Sequence, residues 1–353
     1  MNDDTIPPRN GEGDRAQHGG GGSPQAHPRE EYPLRQPSGL PPPRTGEELS
    51  LWTPRILAAF LLVSLIWGST WLVIKDQLAT VPPTWSVTYR FMAGSAAMFA
   101  LVAIRRLPLM LDRRGQFWAI LLGISQFACN FNFVYRAELY ITSGLVAVMF
   151  ALLMVPNAIL GRIFLGQRIT PAFLAGSAIA AAGIVLLFVQ EYRQVEVTGA
   201  MIGIGIVFTV GGILAASIAN VLQATDGPKA YPILSLLAWA MFWGMCANAL
   251  FASATAGPPV FDPRPSYIAG ILYLGVIGSA VTFPLYFGMI REIGAGQAAY
   301  SGVIVPVVAM ALSTAFEGYR WSLLAGGGAV LALAGLLIAT QARRPRGPRL
   351  PAT

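Results

Sequence analysis

The apolar part of this sequence has no histidine. The only two, His18 and His27, lie in a polar N-terminal tail, so no imidazole is available there for a Ser-His hydrolase or a metal cage. No aspartate lies deep in an apolar segment, and no Gly-rich lysine loop that could bind phosphate is present. These absences argue against serine hydrolases and nucleotide-driven pumps. We therefore expect no enzyme activity, no metal and no cofactor.

Cysteine and charged residues are also scarce. Cys129 and Cys246 each fall inside an apolar segment, where a lone cysteine usually behaves as a small hydrophobic residue, so we predict no disulfide. Charged residues make up 12% of the chain, against about 25% in an average soluble domain. With 54% hydrophobic residues and a mean hydropathy of +0.57, the composition indicates an all-α polytopic membrane protein.

A membrane-spanning helix needs about 20 mostly apolar residues. Ten segments qualify: 56–75, 84–104, 116–135, 138–160, 171–190, 200–223, 231–254, 266–290, 295–316 and 321–340. The loops that would face the cytoplasm hold most of the Lys and Arg, which predicts that both termini are cytoplasmic and that this distribution, rather than nucleic-acid binding, explains the net charge of +7. Residues 1–50, rich in Pro and Gly, are predicted to be a disordered cytoplasmic tail, and residues 341–353 a basic cytoplasmic tail.

The chain contains an internal duplication. The block Phe164–Gly183 returns as Phe316–Gly335, with Phe, Gly, Arg and several small residues at matching positions. Five predicted spans separate the two copies, and an odd number of crossings reverses their orientation. We therefore predict two inverted five-helix repeats, over 56–190 and 200–340, which is the arrangement typical of secondary transporters.

Polar residues in the predicted spans are the candidate site, because polar groups inside a membrane are costly. In the first span, Trp67, Trp71 and Lys75 follow one helical face. Their indoles could stack on an organic substrate, and Lys75 could attract a carboxylate. The alternative is that the tryptophans are interface anchors and that Lys75 extends to the outer headgroups.

Further candidates lie in later spans. Arg90, beside Tyr89, needs an acid, carbonyl groups or water, and we predict an ion pair with Glu138, which we place at the start of the fourth span. Glu292 is the equivalent residue of the second repeat, so the two acids could gate the pathway or carry protons, or simply be helix N-terminal acids. Asn132 and Tyr135 share a face, and Tyr286 follows Ser279 and Thr282 at helical spacing. Such groups either bind ligands or hold membrane helices together. Pro156, Pro284 and Pro306 are predicted to interrupt their helices.

The chain contains several short motifs: Trp67–Trp71 with Lys75, the pair Arg90-Phe91, Ala137-Glu138 with Ser143-Gly144-Leu145, Phe164–Arg168, Pro306 and Glu317-Gly318. Together they resemble the drug/metabolite transporter superfamily, in particular its EamA-type ten-helix members. The resemblance implies ten helices in two inverted repeats around a central cavity, and export of amino acids, nucleobases or other small metabolites. Where the family usually has a loop glutamate, this chain has Gln167 and Tyr319.

The sequence thus predicts a multi-pass transporter of the bacterial inner membrane. It would export a small metabolite by alternating access, with Trp67, Trp71, Lys75, Tyr89, Arg90, Asn132, Tyr135, Glu138 and Tyr286 along the substrate pathway. The expected partners are a small-molecule substrate and the lipid bilayer, with no nucleic acid and with a homodimer left open. A quaternary-ammonium or multidrug exporter is one alternative, which the lack of a central acid disfavours. A non-transporting membrane receptor is another.

Overall fold

A computed structural model describes residues 54–166, 168–194, 199–286, 289 and 301–341. These residues form helices and turns, with no strand among them. The first half contains α1 Pro54–Gln77, α2 Pro83–Ile104, α3 Arg113–Leu122, α4 Phe131–Ala137, α5 Ser143–Phe150, α6 Met154–Leu165 and α7 Pro171–Gln194. The second half contains α8 Gly199–Gln223, α9 Asp226–Lys229, α10 Ile233–Ala256, α11 Pro265–Leu272, α12 over residues 282–286, α13 Ser301–Phe316 and α14 Leu323–Gln341.

Eight helical segments are long and apolar enough to cross a membrane, and two shorter apolar helices, Ser301–Phe316 and Leu323–Ala339, follow them in the described part of the chain. This confirms an all-α polytopic membrane protein. The count of ten spans and the inverted relation of the two halves stay predictions. The tails 1–50 and 342–353, as well as Gln167, Arg291 and Glu292, lie outside the described residues.

The duplicated blocks meet in space, because α7 packs along α14. The contact is backbone to backbone. A Cβ placed on Gly183 would overlap the backbone nitrogen of Ala332, and one placed on Gly335 would overlap that of Ala180. Small residues let membrane helices approach this closely and gain van der Waals contact. The small-residue faces seen in the sequence are thus the interface between these two helices.

Two spanning helices change from α-helical to π-helical geometry near their middle. Residues Gly123–Asn130 and Tyr273–Val281 are π-helical, each joining two α-helices of one span. In the second segment Ser279 donates to Leu274 and Thr282 to Ile277, five residues back in each case. Hydroxyl groups therefore bind carbonyls within the π-helical region, and such turns often mark functional sites.

The prediction that three prolines interrupt their helices is confirmed for two of them. Pro284 follows the π-helical segment, and Pro156 follows a 3₁₀ turn at Ala151–Leu153, so each irregularity lies just before the proline. A proline lacks the N–H that would bond the carbonyl four residues earlier, which explains this position. The prediction for Pro306 was wrong, because it lies inside a continuous helix, α13.

Candidate functional site

The end of α1 is tied to the turn that follows α4. The Lys75 ammonium donates a hydrogen bond to the backbone carbonyl oxygen of Glu138. In the last turn of α4, Tyr135 donates its hydroxyl proton to Oε1 of Gln77 at 3.0 Å, and both side chains are fully buried. Two predicted site residues, Lys75 and Tyr135, therefore hold α1 against α4. We call this part of the molecule the Glu138 end of the bundle.

Gln77 is a site residue that the sequence analysis missed. It lies at the C-terminus of α1, buried and in contact with Tyr135. It follows Thr70 by seven positions, which is two helical turns, so both residues lie on one buried face of α1. This spacing could have identified it, although glutamine at a helix end carries no specific signal.

The predicted position of Glu138 was wrong in one respect. It does not begin the fourth span but caps the C-terminus of α4, and the next helix starts only at Ser143 after an extended Thr142. A carboxylate is stabilised at a helix N-terminus and destabilised at a C-terminus, where carbonyl dipoles point outward. Glu138 is therefore not a helix N-terminal acid, and its place in the fold disfavours the charged form.

The Glu138 side chain is completely buried. Neither of its carboxyl oxygens has a hydrogen-bond partner among the described residues. Lys75, Glu317 and Arg90 are close enough to interact with it electrostatically. Glu317, from the end of α13, accepts a hydrogen bond of 2.6 Å from the hydroxyl of Ser143. Two carboxyl groups from different halves of the chain thus lie within electrostatic range of each other at this end, and the sequence analysis had not paired them.

Arg90 is also buried, with 2% of its surface exposed. The predicted ion pair with Glu138 was wrong: no ion pair between them occurs within the described residues. Arg90 instead lies over the ring of Phe131, with its central carbon 4.2 Å from the ring centroid, and its Nε and Nη2 approach the Ser279 hydroxyl at 3.4 Å. Its Nη1 has no hydrogen-bond partner in the described structure. The Tyr135 side chain also lies close enough to interact with this guanidinium. A stacked guanidinium with an unpartnered Nη1 can bind an anion.

A continuous series of aromatic contacts leads from α1 to this arginine. Centroid distances are 5.0 Å from Trp67 to Tyr286, 5.5 Å from Trp67 to Phe283, and 5.6 Å from Phe283 to Phe127. The series continues from Phe127 to Phe91 at 5.0 Å and from Phe91 to Phe131 at 4.9 Å. We call these rings the aromatic ladder. It joins Trp67 and Tyr286, two predicted pathway residues, to the Arg90 guanidinium.

Trp71 and Lys75 face a different neighbour from Trp67. Trp71 contacts Phe150 of α5 at a centroid distance of 5.2 Å, whereas Trp67 donates its indole N–H to the Gly278 carbonyl at 3.3 Å. The indole nitrogen of Trp71 is buried without a hydrogen-bond partner among the residues described. The helical face predicted for α1 is therefore divided between two walls of the site.

Two predicted pathway residues are directed elsewhere. Asn132 donates to the side-chain oxygen of Asn248 on α10, which in turn donates to the carbonyl of Phe127 at 2.9 Å. Tyr89 donates to the carbonyl of Val260 at 3.0 Å, in the loop after α10. Asn132 thus joins two helices and Tyr89 binds a loop, and neither side chain has a hydrogen bond to Arg90 or Glu138 among the described residues.

Asp262 connects two loops at the Glu138 end and was not predicted from the sequence. Its carboxylate accepts hydrogen bonds from the Thr80 hydroxyl, in the loop after α1, and from Nε of Arg264 at 2.6 Å. The Thr80 hydrogen bond is the main cause that lowers the pKa of Asp262 below its usual value, and Arg264 adds to it. This residue positions the loops around the site.

A separate apolar cavity of about 420 Å³ lies between α5, α7, α13 and α14. Its lining includes Ile184, Met310, Leu336 and Trp321, and it contains none of the predicted pathway residues. It is bounded by the α7 and α14 pair rather than by the polar helices. We assign it no part in the site described above.

The fold and site define a multi-pass helical membrane protein with an aromatic and cationic centre. The family model of the EamA-like transporter family matches residues 54–189 and 203–341, which is more than half of the chain. The chain therefore belongs to the EamA-like transporter family, as the sequence motifs had indicated. Each match begins near the first helix of a predicted repeat and ends within its fifth.

Named relatives align over most of their own length. The chain is 26% identical to protein PagO of Salmonella typhimurium, over 74% of this chain and 85% of PagO. It is 26% identical to the uncharacterized inner membrane transporter YedA of Escherichia coli K12, over 74% of this chain and 83% of YedA. It is 25% identical to a probable amino-acid metabolite efflux pump of the same strain, over 79% of this chain and 92% of the pump.

A solved structure supports the fold alone. A crystal structure of another protein superposes with a TM-score of 0.62, covering 80% of this chain and 96% of that one at 18% sequence identity. The helical arrangement is therefore one that occurs in an experimentally determined protein.

Proposed function

We propose that this protein is a secondary transporter of the inner membrane that exports a small amphipathic metabolite, such as an amino acid or a nucleobase, by alternating access. The observation that carries the proposal is the aromatic ladder that ends at the buried Arg90 guanidinium, whose Nη1 has no hydrogen-bond partner among the described residues. Membership of a transporter family and the name of the amino-acid metabolite efflux pump support it.

The site suits a ligand with one flat or apolar part and one anionic group. The rings of Trp67, Phe283 and Tyr286 offer faces and edges for the apolar part. Arg90 keeps its charge under all physiological conditions, so its unpartnered Nη1 can bind a carboxylate. Both cations near the site, Lys75 and Arg90, would repel a quaternary ammonium ion, which counts against the multidrug alternative.

Alternating access requires contacts that can form and break at one end of the bundle. The tie from Lys75 to the Glu138 carbonyl and the bond from Ser143 to Glu317 are such contacts, because they join helices through side chains rather than through an apolar interface. We infer that the Glu138 end is closed in this structure. If both termini are cytoplasmic, this end faces outward, away from the cytoplasm.

The test is the metabolite content of the medium around cells that overproduce the wild type, compared with cells that make equal amounts of Arg90→Gln. The control is Arg113→Gln, which removes an exposed arginine at the start of α3. We expect one metabolite class to accumulate outside with the wild type and the control but not with Arg90→Gln. If the media of all three strains contain the same metabolites in the same amounts, export of a small metabolite is contradicted. The receptor alternative would then be favoured.

A further inference from the structure

The two carboxyl groups at the Glu138 end both follow the C-terminus of a helix, Glu138 after α4 and Glu317 after α13, but they differ in their hydrogen-bond donors. Glu317 accepts hydrogen bonds from the hydroxyl and the backbone N–H of Ser143, at 2.6 and 3.5 Å, at the N-terminus of α5. A helix N-terminus stabilises negative charge. The carboxyl group of Glu317 therefore has two hydrogen-bond donors from Ser143.

Glu138 has none of these advantages. It caps the C-terminus of α4, it is completely buried, and its two carboxyl oxygens lack hydrogen-bond donors in the part of the chain described. A buried carboxylate without donors is costly, and such a group takes up a proton instead. The negative charge of Glu317 nearby adds to this effect, because a like charge disfavours the carboxylate form of Glu138.

Charged and titratable groups face Glu138 from each packed element: Lys75 on α1, Arg90 on α2, Tyr135 on α4, and Glu317 after α13. The two cations favour the carboxylate, while Glu317 opposes it. Neither cation donates to the carboxyl oxygens, because Lys75 binds the backbone carbonyl and Arg90 lies against Phe131 and Ser279. In the closed end, the Glu138 carboxyl group therefore lies near charged groups but accepts no hydrogen bond from them.

From this arrangement we propose that the Glu138 carboxyl group is a proton-binding site, and that its protonation controls whether the Glu138 end is closed or open. This inference rests on the proposed function. In the closed end Glu138 holds the proton, which it takes from the water on its own side. When the end opens, water supplies the missing donors and the carboxyl group releases the proton. Proton binding therefore favours closure, and proton release favours opening.

The first consequence is a pH-dependent opening that needs no substrate. A group that binds protons more tightly in the closed form stabilises that form at low pH and loses this effect as the pH rises. One unit of difference in proton affinity shifts the equilibrium tenfold. We therefore expect the open fraction to rise by at least about tenfold between about pH 5 and about pH 9.

The experiment uses the full chain in liposomes, with Cys129→Ser and Cys246→Ser to remove the native thiols and Thr142→Cys as a reporter. Thr142 precedes α5, and its hydroxyl is buried in the closed end. The probe is a membrane-impermeant maleimide. A second reporter, Val260→Cys, lies in an exposed part of the loop after α10 and corrects for ionisation of the thiol itself. The measured quantity is the ratio of the two labelling rates.

We expect this ratio to rise about tenfold with pH in the reporter background and to stay low and independent of pH in Glu138→Gln, which mimics the protonated acid. Glu317→Gln removes the neighbouring negative charge, so it should move the midpoint of the rise to lower pH. A ratio without pH dependence, or an unchanged rise in Glu138→Gln, overturns the proposal. If Glu138→Gln does not insert into the membrane, the test rests on Glu317→Gln. A midpoint in that variant that equals the midpoint of the reporter background then overturns the proposal. No metabolite is present, so this failure is separate from a failure of metabolite export.

Discussion

The ammonium of Lys75 donates its hydrogen bond to the backbone carbonyl of Glu138 and leaves the Glu138 carboxyl group without a donor in the described structure. Lysine therefore acts on this residue in two ways. Its hydrogen bond holds the C-terminus of α4 against α1, and its charge acts on the carboxyl group from nearby. Changing Lys75 should separate the mechanical role from the electrostatic one.

Lys75→Met keeps the length of the side chain but removes its charge and its donor. A hydrogen bond to a charged group contributes about 1.5 to 3 kcal/mol, so the closed end should be weakened about tenfold or more. Lys75→Arg keeps a donor and a charge and is the matched control. The measurement is export per inserted molecule of the metabolite that accumulates with the wild type. Normal export by Lys75→Met would show that this tie is dispensable.

The interface of α7 and α14 predicts a position-specific effect of alanine. Gly335→Ala would place a methyl group against the backbone of Ala180, which cannot move without separating the two helices. Overpacking of this kind costs about 1 to 3 kcal/mol. The control is Gly327→Ala on the same helix, where an added methyl group meets no atom within 4 Å. Thermal unfolding in detergent should show a lower midpoint for Gly335→Ala only, and equal midpoints would contradict the proposed role of this contact.

The fold class could be predicted from the sequence because hydropathy and small-residue spacing depend on local pattern alone. The small-residue faces that contain Gly183 and Gly335 were identified from the repeated blocks of the sequence. In the structure these two faces pack against each other. The position of Glu138 could not be predicted in the same way. The apolar pattern continues through the turn that follows α4, whereas the structure ends α4 at Ala137 and starts α5 only at Ser143, after an extended Thr142.

The site was predicted in part. Arg90, Tyr135 and Trp67 were identified because each carries a polar group within an apolar span. Burying such a group in a membrane costs free energy, so these residues are functional candidates. Partners could not be predicted, because they depend on which helices touch. The aromatic ladder joins four separate helices, and Glu317 reaches Glu138 from the other half of the chain. Helical spacing within one span gives no information about such pairs.

The amide pair of Asn132 and Asn248 predicts coupled stability. Asn132→Leu removes the donor of the bond to Oδ1 of Asn248, and Asn248→Leu removes its acceptor, while the remaining amide keeps its other hydrogen bonds. Hydrogen bonds between membrane helices contribute about 0.6 to 2 kcal/mol. The double variant should therefore cost less than the sum of the two single variants. The measurement is the free energy of unfolding in mixed micelles of increasing SDS content, arranged as a double-mutant cycle. Strict additivity would mean that the two amides do not stabilise each other.

Asp262 predicts a stability effect that depends on pH. Its hydrogen bonds from Thr80 and Arg264 lower the pKa of the folded carboxyl group below the usual value of about 3.9. A carboxyl group with a lowered pKa stabilises the fold at every pH above its unfolded pKa, and this contribution is lost as the pH falls through the folded pKa. Asp262→Asn should therefore lower the unfolding midpoint at neutral pH, whereas below about pH 4 the variant and the wild type should converge.

The control for this effect is Asp226→Asn, which removes one negative charge from an exposed position at the start of α9. It changes the net charge equally but breaks no bond between loops. If both variants lose the same stability at neutral pH, the cause is net charge and not the link from Asp262 to Thr80. If Asp262→Asn and Thr80→Ala both lose stability at neutral pH and Asp226→Asn does not, the loss is caused by the hydrogen bond between Asp262 and Thr80. The two loops would then be held together by an ionised carboxylate on the side of the bundle where Glu138, in the proposed mechanism, is protonated.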